Sequence, residues 1–140
     1  MAGREVFADT SAIFALLDRR DAHHTLVATK VGELIRGGRM MVATDYVIAE
    51  TVNLAVARRG RLVAERVLDL VEQSKGIRLE WIGADRFEET KRFFRRHSDH
   101  GYSFIDCTSF VVMHELQISD AITTDAHFAE AGFRPLLPVA

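Results

Sequence analysis

Short apolar runs alternate with longer amphipathic segments along the whole chain. The runs predict strands over residues 5–8, 40–43, 78–82, 121–124 and 134–137. Apolar residues at helical spacing predict helices over residues 10–18, 21–36, 45–59, 61–73, 84–96, 104–116 and 126–131. Strands that alternate with helices are typical of βαβ units. We therefore expect an α/β fold with three layers (α/β/α) and a central, mainly parallel sheet of four to five strands.

The composition fits one compact domain. The chain has 140 residues, of which 48% are hydrophobic, so we expect a single domain over residues 1–140. No run approaches the roughly 18 apolar residues of a membrane helix, and the first residues lack the apolar core of a signal peptide. Cys107 is the only cysteine, so no intramolecular disulfide forms and a cytoplasmic location fits best. The net charge of −2 gives no nucleic-acid signal.

Four acids are placed where this fold would bring them together. Asp9 ends the first predicted strand and Asp125 ends the fourth. Glu50 lies on the helix after the second strand, and Asp106 lies in the first turn of the helix over 104–116. Open parallel sheets bind ligands outside the carboxyl ends of their strands. Carboxylates crowded there repel one another unless a cation such as Mg²⁺ neutralises them, which points to metal-dependent chemistry on phosphate.

The alternative is that these acids are structural. Asp9 and Asp125 each precede a predicted helix and fit the role of N-cap. Glu50 and Asp106 stand among apolar residues, with no Lys or Arg within a helical turn. Even a partly buried carboxylate needs a partner or a metal. The four acids together favour a functional site.

Several other chemistries are excluded by missing motifs. The chain has no phosphate-binding P-loop, no dinucleotide fingerprint, no His-x-x-x-His pair and no Gly-x-Ser-x-Gly elbow. Cys107 follows Asp106 on an apolar helix and is interpreted as packing. An aspartate phosphatase would need a second Asp where Ser11 stands, and a phosphoacceptor domain would need a Lys near the last strand, but none follows Lys91.

With the acids placed, the chain resembles the PIN-domain nucleases, and among them the VapC-type toxins of bacterial toxin–antitoxin pairs. The segments that carry the resemblance are VFADTSA (6–12), IAET (48–51), DHGYSFIDCTSF (99–110) and TTDAHF (123–128). They span nearly the full length, in the family's order. The resemblance implies a PIN-like fold and a Mg²⁺- or Mn²⁺-dependent ribonuclease. It also implies a homodimer that is inhibited by a small VapB-like antitoxin.

The resemblance assigns roles to individual residues. Asp9, Glu50, Asp106 and Asp125 match the acidic metal-binding and catalytic cluster. Asp99 matches a further acid that often precedes the third one. Ser11 and Thr124 match hydroxyls that hold the carboxylates in place. Ile105 is a departure, since many relatives carry Thr there.

Other residues are candidates for support and for binding RNA. Asn53 shares a helix face with Glu50 and could orient that carboxylate, although a plain surface amide fits equally well. An acidic site needs basic residues beside it to bind RNA. The candidates are Arg58, Arg59, Arg61, Arg95 and Arg96, with Arg19 and Arg20 as a further pair. Their alternative interpretation is a solvated surface.

The sequence thus predicts a metal-dependent endoribonuclease of the toxin type. Two alternatives stay open: a PIN-like nuclease that acts on DNA or in RNA maturation without a toxin role, and a catalytically silent module that binds RNA or a protein partner. An intact acid cluster argues against the silent module. For a toxin, we expect the antitoxin to place an Arg or Lys among the four acids.

Overall fold

The computed structural model describes residues 3–138, which form five strands separated from one another by one or two of seven helices. The strands are β1 (Glu5–Ala8), β2 (Met40–Thr44), β3 (Ile77–Glu80), β4 (Asp120–Ile122) and β5 (Arg134–Pro135). The helices are α1 (Thr10–Leu17), α2 (His24–Arg36), α3 (Asp45–Arg59), α4 (Arg61–Gln73), α5 (Gly83–Arg96), α6 (Phe104–Glu115) and α7 (His127–Glu130).

All five strands are parallel and form one sheet in the order β3-β2-β1-β4-β5. The predicted three-layer α/β/α fold with a parallel sheet is confirmed. Strand β1 is central, and its residues Val6, Phe7 and Ala8 are at most 1% exposed. A strand covered on both faces must be apolar throughout, which explains why the first run of the sequence is so hydrophobic.

The order in which strands are added to the sheet switches from one side of β1 to the other, although all strands stay parallel. The chain passes from β1 to β2 and β3 on one side, and then returns to β4 and β5 on the other. Such a switch opens a crevice at the carboxyl ends of the two strands on either side of it. Phe7 pairs with Ala121 and Ala8 with Ile122, so the residues that follow β1 and β4 meet at this crevice.

The element boundaries differ from the predicted ones at a few ends. Helix α2 begins at His24 rather than at Asp21, because Asp21 belongs to a turn in which its carboxylate accepts the N–H of His23 at 2.8 Å. Strand β3 ends at Glu80, since the next N–H groups leave the ladder and Ile82 donates to the carboxylate of Asp45 at 2.8 Å. Strand β4 ends two residues before the predicted Thr124.

Among the residues described, no helix has both the length and the apolar character needed to cross a bilayer.

Candidate active site

Asp9 lies at the junction of β1 and α1 and is only 5% exposed. Its Oδ1 accepts hydrogen bonds from the Ser11 hydroxyl at 2.7 Å and from the Ala12 N–H at 3.1 Å. Its Oδ2 accepts the hydroxyl of Thr123, which follows β4, at 2.7 Å. The carboxylate therefore caps α1 and also ties the ends of the two neighbouring strands together.

Burial raises the pKa of Asp9 to about 6, even though its three hydrogen bonds oppose the rise. The negative charge of Asp125 raises this pKa further. The ionised form of a buried acid is costly unless a positive charge lies nearby. A cation in the crevice would provide that charge.

Asp106 reaches the same crevice from the first turn of α6. It forms a capping box with Ser103: the Ser103 N–H donates to Asp106 Oδ2 at 3.2 Å, and the Asp106 N–H donates to the Ser103 hydroxyl oxygen at 2.9 Å. Burial raises the pKa of Asp106, and the charge of Asp125 adds to that effect. The box fixes the orientation of the carboxylate relative to the helix axis.

Asp125 and His127 complete the tightest group of ligand-type atoms. The Asp125 N–H donates to the Thr123 hydroxyl oxygen at 2.9 Å, so this hydroxyl bridges Asp9 and the segment after β4. His127 Nδ1 lies 3.1 Å from Asp106 Oδ2 and 3.4 Å from Asp125 Oδ1. One ligand atom from each of Asp106, Asp125 and His127 lies within 4.8 Å of the other two.

Glu50 faces this group from α3. It is half-buried, and the Thr10 hydroxyl donates to its Oε1. All four acids predicted from the sequence line one cleft of about 510 Å³. Further residues that line this cleft are Asp21, His23, Arg58, Ile105, Ser109 and Thr124. The structure thus brings the four acids together, as predicted.

Not every predicted supporting hydroxyl contacts the acid cluster. Ser11 contacts Asp9 as expected, but the hydroxyl that contacts Asp9 beside it is that of Thr123 and not the predicted Thr124. The reason is side-chain direction. Thr123 is fully buried and faces Asp9, whereas Thr124 is half-buried and contributes its N–H, which donates to the Ser11 hydroxyl oxygen at 3.1 Å.

Asp99 and Asn53 lie outside the cleft. The Asp99 side chain is 80% exposed on the loop between α5 and α6, beside His100 at 3.9 Å. Asp99 therefore does not reach the acid cluster. The loop becomes buried only three residues later, at Tyr102. Asn53 is exposed and lines a shallow neighbouring groove together with Glu50.

The predicted arginines have different surroundings. Arg58 lines the cleft, and its guanidinium lies 5.8 Å from the centre of the Phe14 ring. Arg59 is engaged in a 2.7 Å ion pair with Asp18, which is 3% exposed, so Arg59 has a structural role. The other three lie on exposed helix surfaces: Arg61 pairs with Glu65, Arg96 pairs with Glu89, and Arg95 is exposed on α5.

The residues present fit a divalent cation such as Mg²⁺ or Mn²⁺. Carboxylate oxygens are the ligands that hard cations prefer, and here they come from four separate elements onto one cleft. The pKa values of Asp9 and Asp106 are raised mainly by burial, and the negative charge of Asp125 adds to both. Sequence reasoning missed Thr123 and His127. The signal was available, since both stand two residues from Asp125 in the segment TTDAHF.

Comparison with known proteins agrees with the fold and the cluster. The PIN domain family model matches residues 6–134. The 23S rRNA-specific endonuclease VapC20 of Mycobacterium tuberculosis is 32% identical over 137 residues, which cover 95% of this chain and 98% of that protein. The crystal structure of VapC20, described as a sarcin-ricin loop cleaving toxin, superposes with a TM-score of 0.81 at 31% identity and covers 91% of this chain and 95% of that one.

Two more distant structures share the fold. VapBC2 from Rickettsia felis, bound to a DNA fragment from its promoter, gives a TM-score of 0.68 at 11% identity, covering 96% of this chain and 98% of that one. FitAcB from Neisseria gonorrhoeae gives 0.65 at 14% identity, covering 95% and 97%. The resemblance drawn from the four sequence segments is confirmed: this chain belongs to the PIN domain family.

Proposed function

We propose that this chain is a metal-dependent endoribonuclease and the toxin component of a VapBC-type toxin–antitoxin pair. The observation that carries the proposal is the convergence of Asp9, Glu50, Asp106 and Asp125 on one cleft. The 32% identity to a curated endonuclease over nearly the whole chain supports it. A domain that only binds RNA gains nothing from carboxylates that repel one another and the phosphates.

The four acids would hold the cation, which is Mg²⁺ or Mn²⁺. When bound, such a cation offsets charge on the phosphate and lowers the pKa of water. Asp9 contributes a carboxylate that is already fixed by Ser11, Ala12 and Thr123. Because these hydrogen bonds exist before substrate binds, little reorganisation is needed during the reaction.

Glu50 and Arg58 have distinct tasks in this proposal. Glu50 is held by Thr10 and lines the same cleft as Asp106, where it can accept a hydrogen bond from the attacking water and orient it. Arg58 lines the cleft, unlike Arg59, Arg61, Arg95 and Arg96, and it offers a guanidinium to a backbone phosphate. Attack by water leaves a 5′-phosphate and a 3′-hydroxyl.

A ribosomal RNA loop is the substrate class that we propose. The relative at 32% identity is named for cleavage of 23S rRNA, and its structure for cleavage of the sarcin-ricin loop. Loops present unstacked bases that proteins can reach, unlike the bases of an A-form duplex. Such a substrate also fits the cytoplasmic location predicted from the sequence.

The partner that we propose is a small antitoxin with a basic side chain in the cleft. Five acids line the cleft, namely the four catalytic ones and Asp21, whereas Arg58 and His23 are its only basic lining groups among the described residues. An Arg or Lys inserted among the acids would be attracted strongly once water is excluded. It would also occupy the position of the cation, so binding of antitoxin and binding of metal should compete.

A homodimer through α5 is the assembly that we propose. Phe87 and Phe94 on α5 are 36% and 43% exposed, and each packs on Phe104 with ring centres 5.5 and 5.8 Å apart. The first half of α5 carries acids and its last half carries bases. Two copies related by a twofold axis would pack α5 antiparallel, so each acidic half would face a basic half. The acids of the first half are Asp85, Glu88 and Glu89, and the bases of the second half are Lys91, Arg92, Arg95 and Arg96. Arg86, in the first half, is paired with Glu80 and Glu115.

The assembly is tested by light scattering after size-exclusion chromatography. Phe94→Glu is expected to give a monomer, because it places a charge in the apolar stripe at the centre of the interface. Leu62→Glu is the matched control, since Leu62 is 69% exposed on α4 and its substitution should leave the dimer intact. A monomeric wild type, or dissociation by both substitutions, would refute the assignment of the α5 face.

The toxin role is tested by regulated expression in a bacterial host. Wild-type protein should arrest growth, and Asp106→Asn at equal soluble level should not. Co-expression with the reading frame directly upstream should restore growth. If wild type and Asp106→Asn behave alike, the toxin role fails, and RNA maturation becomes the better interpretation of the same nuclease.

A further inference from the structure

His127 does not line the cleft itself, but its imidazole contacts two of the four acids that do. It is the first residue of α7, and its side chain is 36% exposed. Its Nδ1 faces two carboxylates at once, at 3.1 Å from Asp106 Oδ2 and 3.4 Å from Asp125 Oδ1. Its backbone N–H also donates to Asp125 Oδ1 at 2.9 Å. Ring and backbone are thus both tied to the acid cluster.

The imidazole is held in this orientation by its other neighbours. The ring of Tyr102 meets it edge to face, with centres 5.5 Å apart and an interplanar angle of 80°. Tyr102 is only 8% exposed, so it forms a fixed wall. A Cβ at Gly101 would lie 3.7 Å from His127 Nε2, so the loop before α6 closes on the far edge of the ring. The Nδ1 edge therefore points at the carboxylates.

We propose that His127 is a nitrogen ligand of the catalytic cation, through Nδ1, beside Asp106 and Asp125. This inference rests on the proposed function. The three ligand atoms lie within 4.8 Å of one another, a spacing that a single ion can bridge. Without the cation, Nδ1 lies within hydrogen-bond distance of Asp106 Oδ2, at 3.1 Å. With it, the neutral tautomer protonated on Nε2 turns the Nδ1 lone pair toward the ion.

A nitrogen ligand has a consequence for the choice of metal. Imidazole suits first-row transition ions, whereas Mg²⁺ strongly prefers oxygen ligands. A site with His127 as ligand should therefore bind Mn²⁺ more tightly than a site made of the carboxylates alone. Removal of the imidazole should weaken Mn²⁺ by about tenfold or more, and should weaken Mg²⁺ by less than about threefold.

The competing role for His127 is that of a hydrogen-bond donor that only orients Asp106. Gln keeps a donor near the same place but is a poor ligand for Mn²⁺, so His127→Gln separates the two roles. The matched control is His100→Gln. His100 stacks on Tyr102 with ring centres 4.7 Å apart, and its Nδ1 lies 3.5 Å from Glu130, which is not one of the acids that line the cleft.

The direct test is pulsed electron paramagnetic resonance on Mn²⁺ bound to the wild-type protein. A ¹⁴N coupling should appear, should change to a ¹⁵N coupling when only histidine is ¹⁵N-labelled, and should be lost in His127→Gln but kept in His100→Gln. Calorimetric titration with MnCl₂ and MgCl₂ gives the two changes in Kd. The nitrogen coupling is measured first on the wild-type protein, so its absence would overturn the proposal even if a variant folds poorly.

The outcomes separate this inference from the proposed function. Mn²⁺ bound at the site without a histidine nitrogen coupling would overturn the ligand role of His127 and leave the nuclease intact. Equal weakening of Mn²⁺ and Mg²⁺ in His127→Gln would also overturn it in favour of the orienting role. A wild-type protein that binds neither ion would overturn both proposals.

Discussion

The carboxylate of Asp9 shows that a helix cap and a site residue can be one side chain. Its Oδ1 accepts the Ala12 N–H as an N-cap does, while its Oδ2 accepts the hydroxyl of Thr123, which follows the neighbouring strand β4. The sequence offered capping and metal binding as alternatives, and the cap is confirmed without excluding the site. What the sequence could not supply was burial, because the exposed fraction of Asp9 depends on the closure of β4 against β1.

The raised pKa of Asp9 predicts a pH dependence of stability without metal. An unfolded Asp ionises near 3.8, whereas burial holds Asp9 protonated up to about pH 6. Ionisation in the folded state is therefore unfavourable, and stability should fall as pH rises from about 4 to about 6, by up to about 3 kcal/mol. Asp9→Asn removes this loss.

The measurement is urea unfolding of both proteins in EDTA at pH 4 and pH 7. The free energy of unfolding of Asp9→Asn, relative to wild type, should be higher at pH 7 than at pH 4, since contributions of other groups cancel in the difference. A difference that does not change with pH would show that Asp9 ionises as an ordinary exposed acid, and a change in the opposite direction would show that its pKa is lowered; either result would contradict the prediction.

A pair of neighbouring threonines tests which hydroxyl supports Asp9. Thr123→Val removes the 2.7 Å hydrogen bond to Asp9 Oδ2 and also the acceptor of the Asp125 N–H. We expect a loss of about 1–3 kcal/mol in stability and about 10–100-fold in metal affinity. Thr124→Val is the control, because Thr124 contributes its backbone N–H. Equal effects of the two substitutions would contradict the assignment to Thr123.

Secondary-structure elements were predicted best where periodicity alone defines them. Helices α3 and α4 end at Arg59 and Gln73 as expected, because apolar spacing and Gly60 define them locally. Strand ends were predicted less well, since they depend on neighbours. Strand β3 pairs with β2 from Ile77 to Glu80, and no pattern within the segment itself reports where that pairing stops.

The capping box at the start of α6 links an element boundary to the chemistry. Ser103→Ala removes the hydroxyl that accepts the Asp106 N–H at 2.9 Å. It should cost about 1 kcal/mol of stability. It should also lower activity by about tenfold, because loss of the cap loosens the turn whose Ser103 N–H holds the Asp106 carboxylate. Ser98→Ala, an exposed position on the preceding loop, should do neither. Full activity of Ser103→Ala would mean that the Ser103 N–H holds the Asp106 carboxylate without help from the hydroxyl.

The topology of the sheet explains why four distant acids could be assigned from the sequence. The strand order switches sides at β1, so the residues after β1 and β4 meet whatever the intervening sequence does. The same reasoning gave no distances and no side-chain directions. It therefore missed His127 and Thr123, and it could not tell that Arg59 is paired with Asp18 while Arg58 lines the cleft. Asp99 was assigned through the family resemblance, and its exposed side chain does not reach the cleft.

The most direct test of the account is cleavage of a 23S ribosomal RNA fragment that contains the sarcin-ricin loop by the purified wild-type protein. With Mg²⁺ or Mn²⁺ we predict defined fragments that carry a 5′-phosphate. EDTA should abolish cleavage and added metal should restore it, while Asp9→Asn and Asp106→Asn should reduce the rate by about 10²-fold or more. Undiminished cleavage in EDTA, or near-normal turnover by both variants, would contradict a catalytic centre made of these acids.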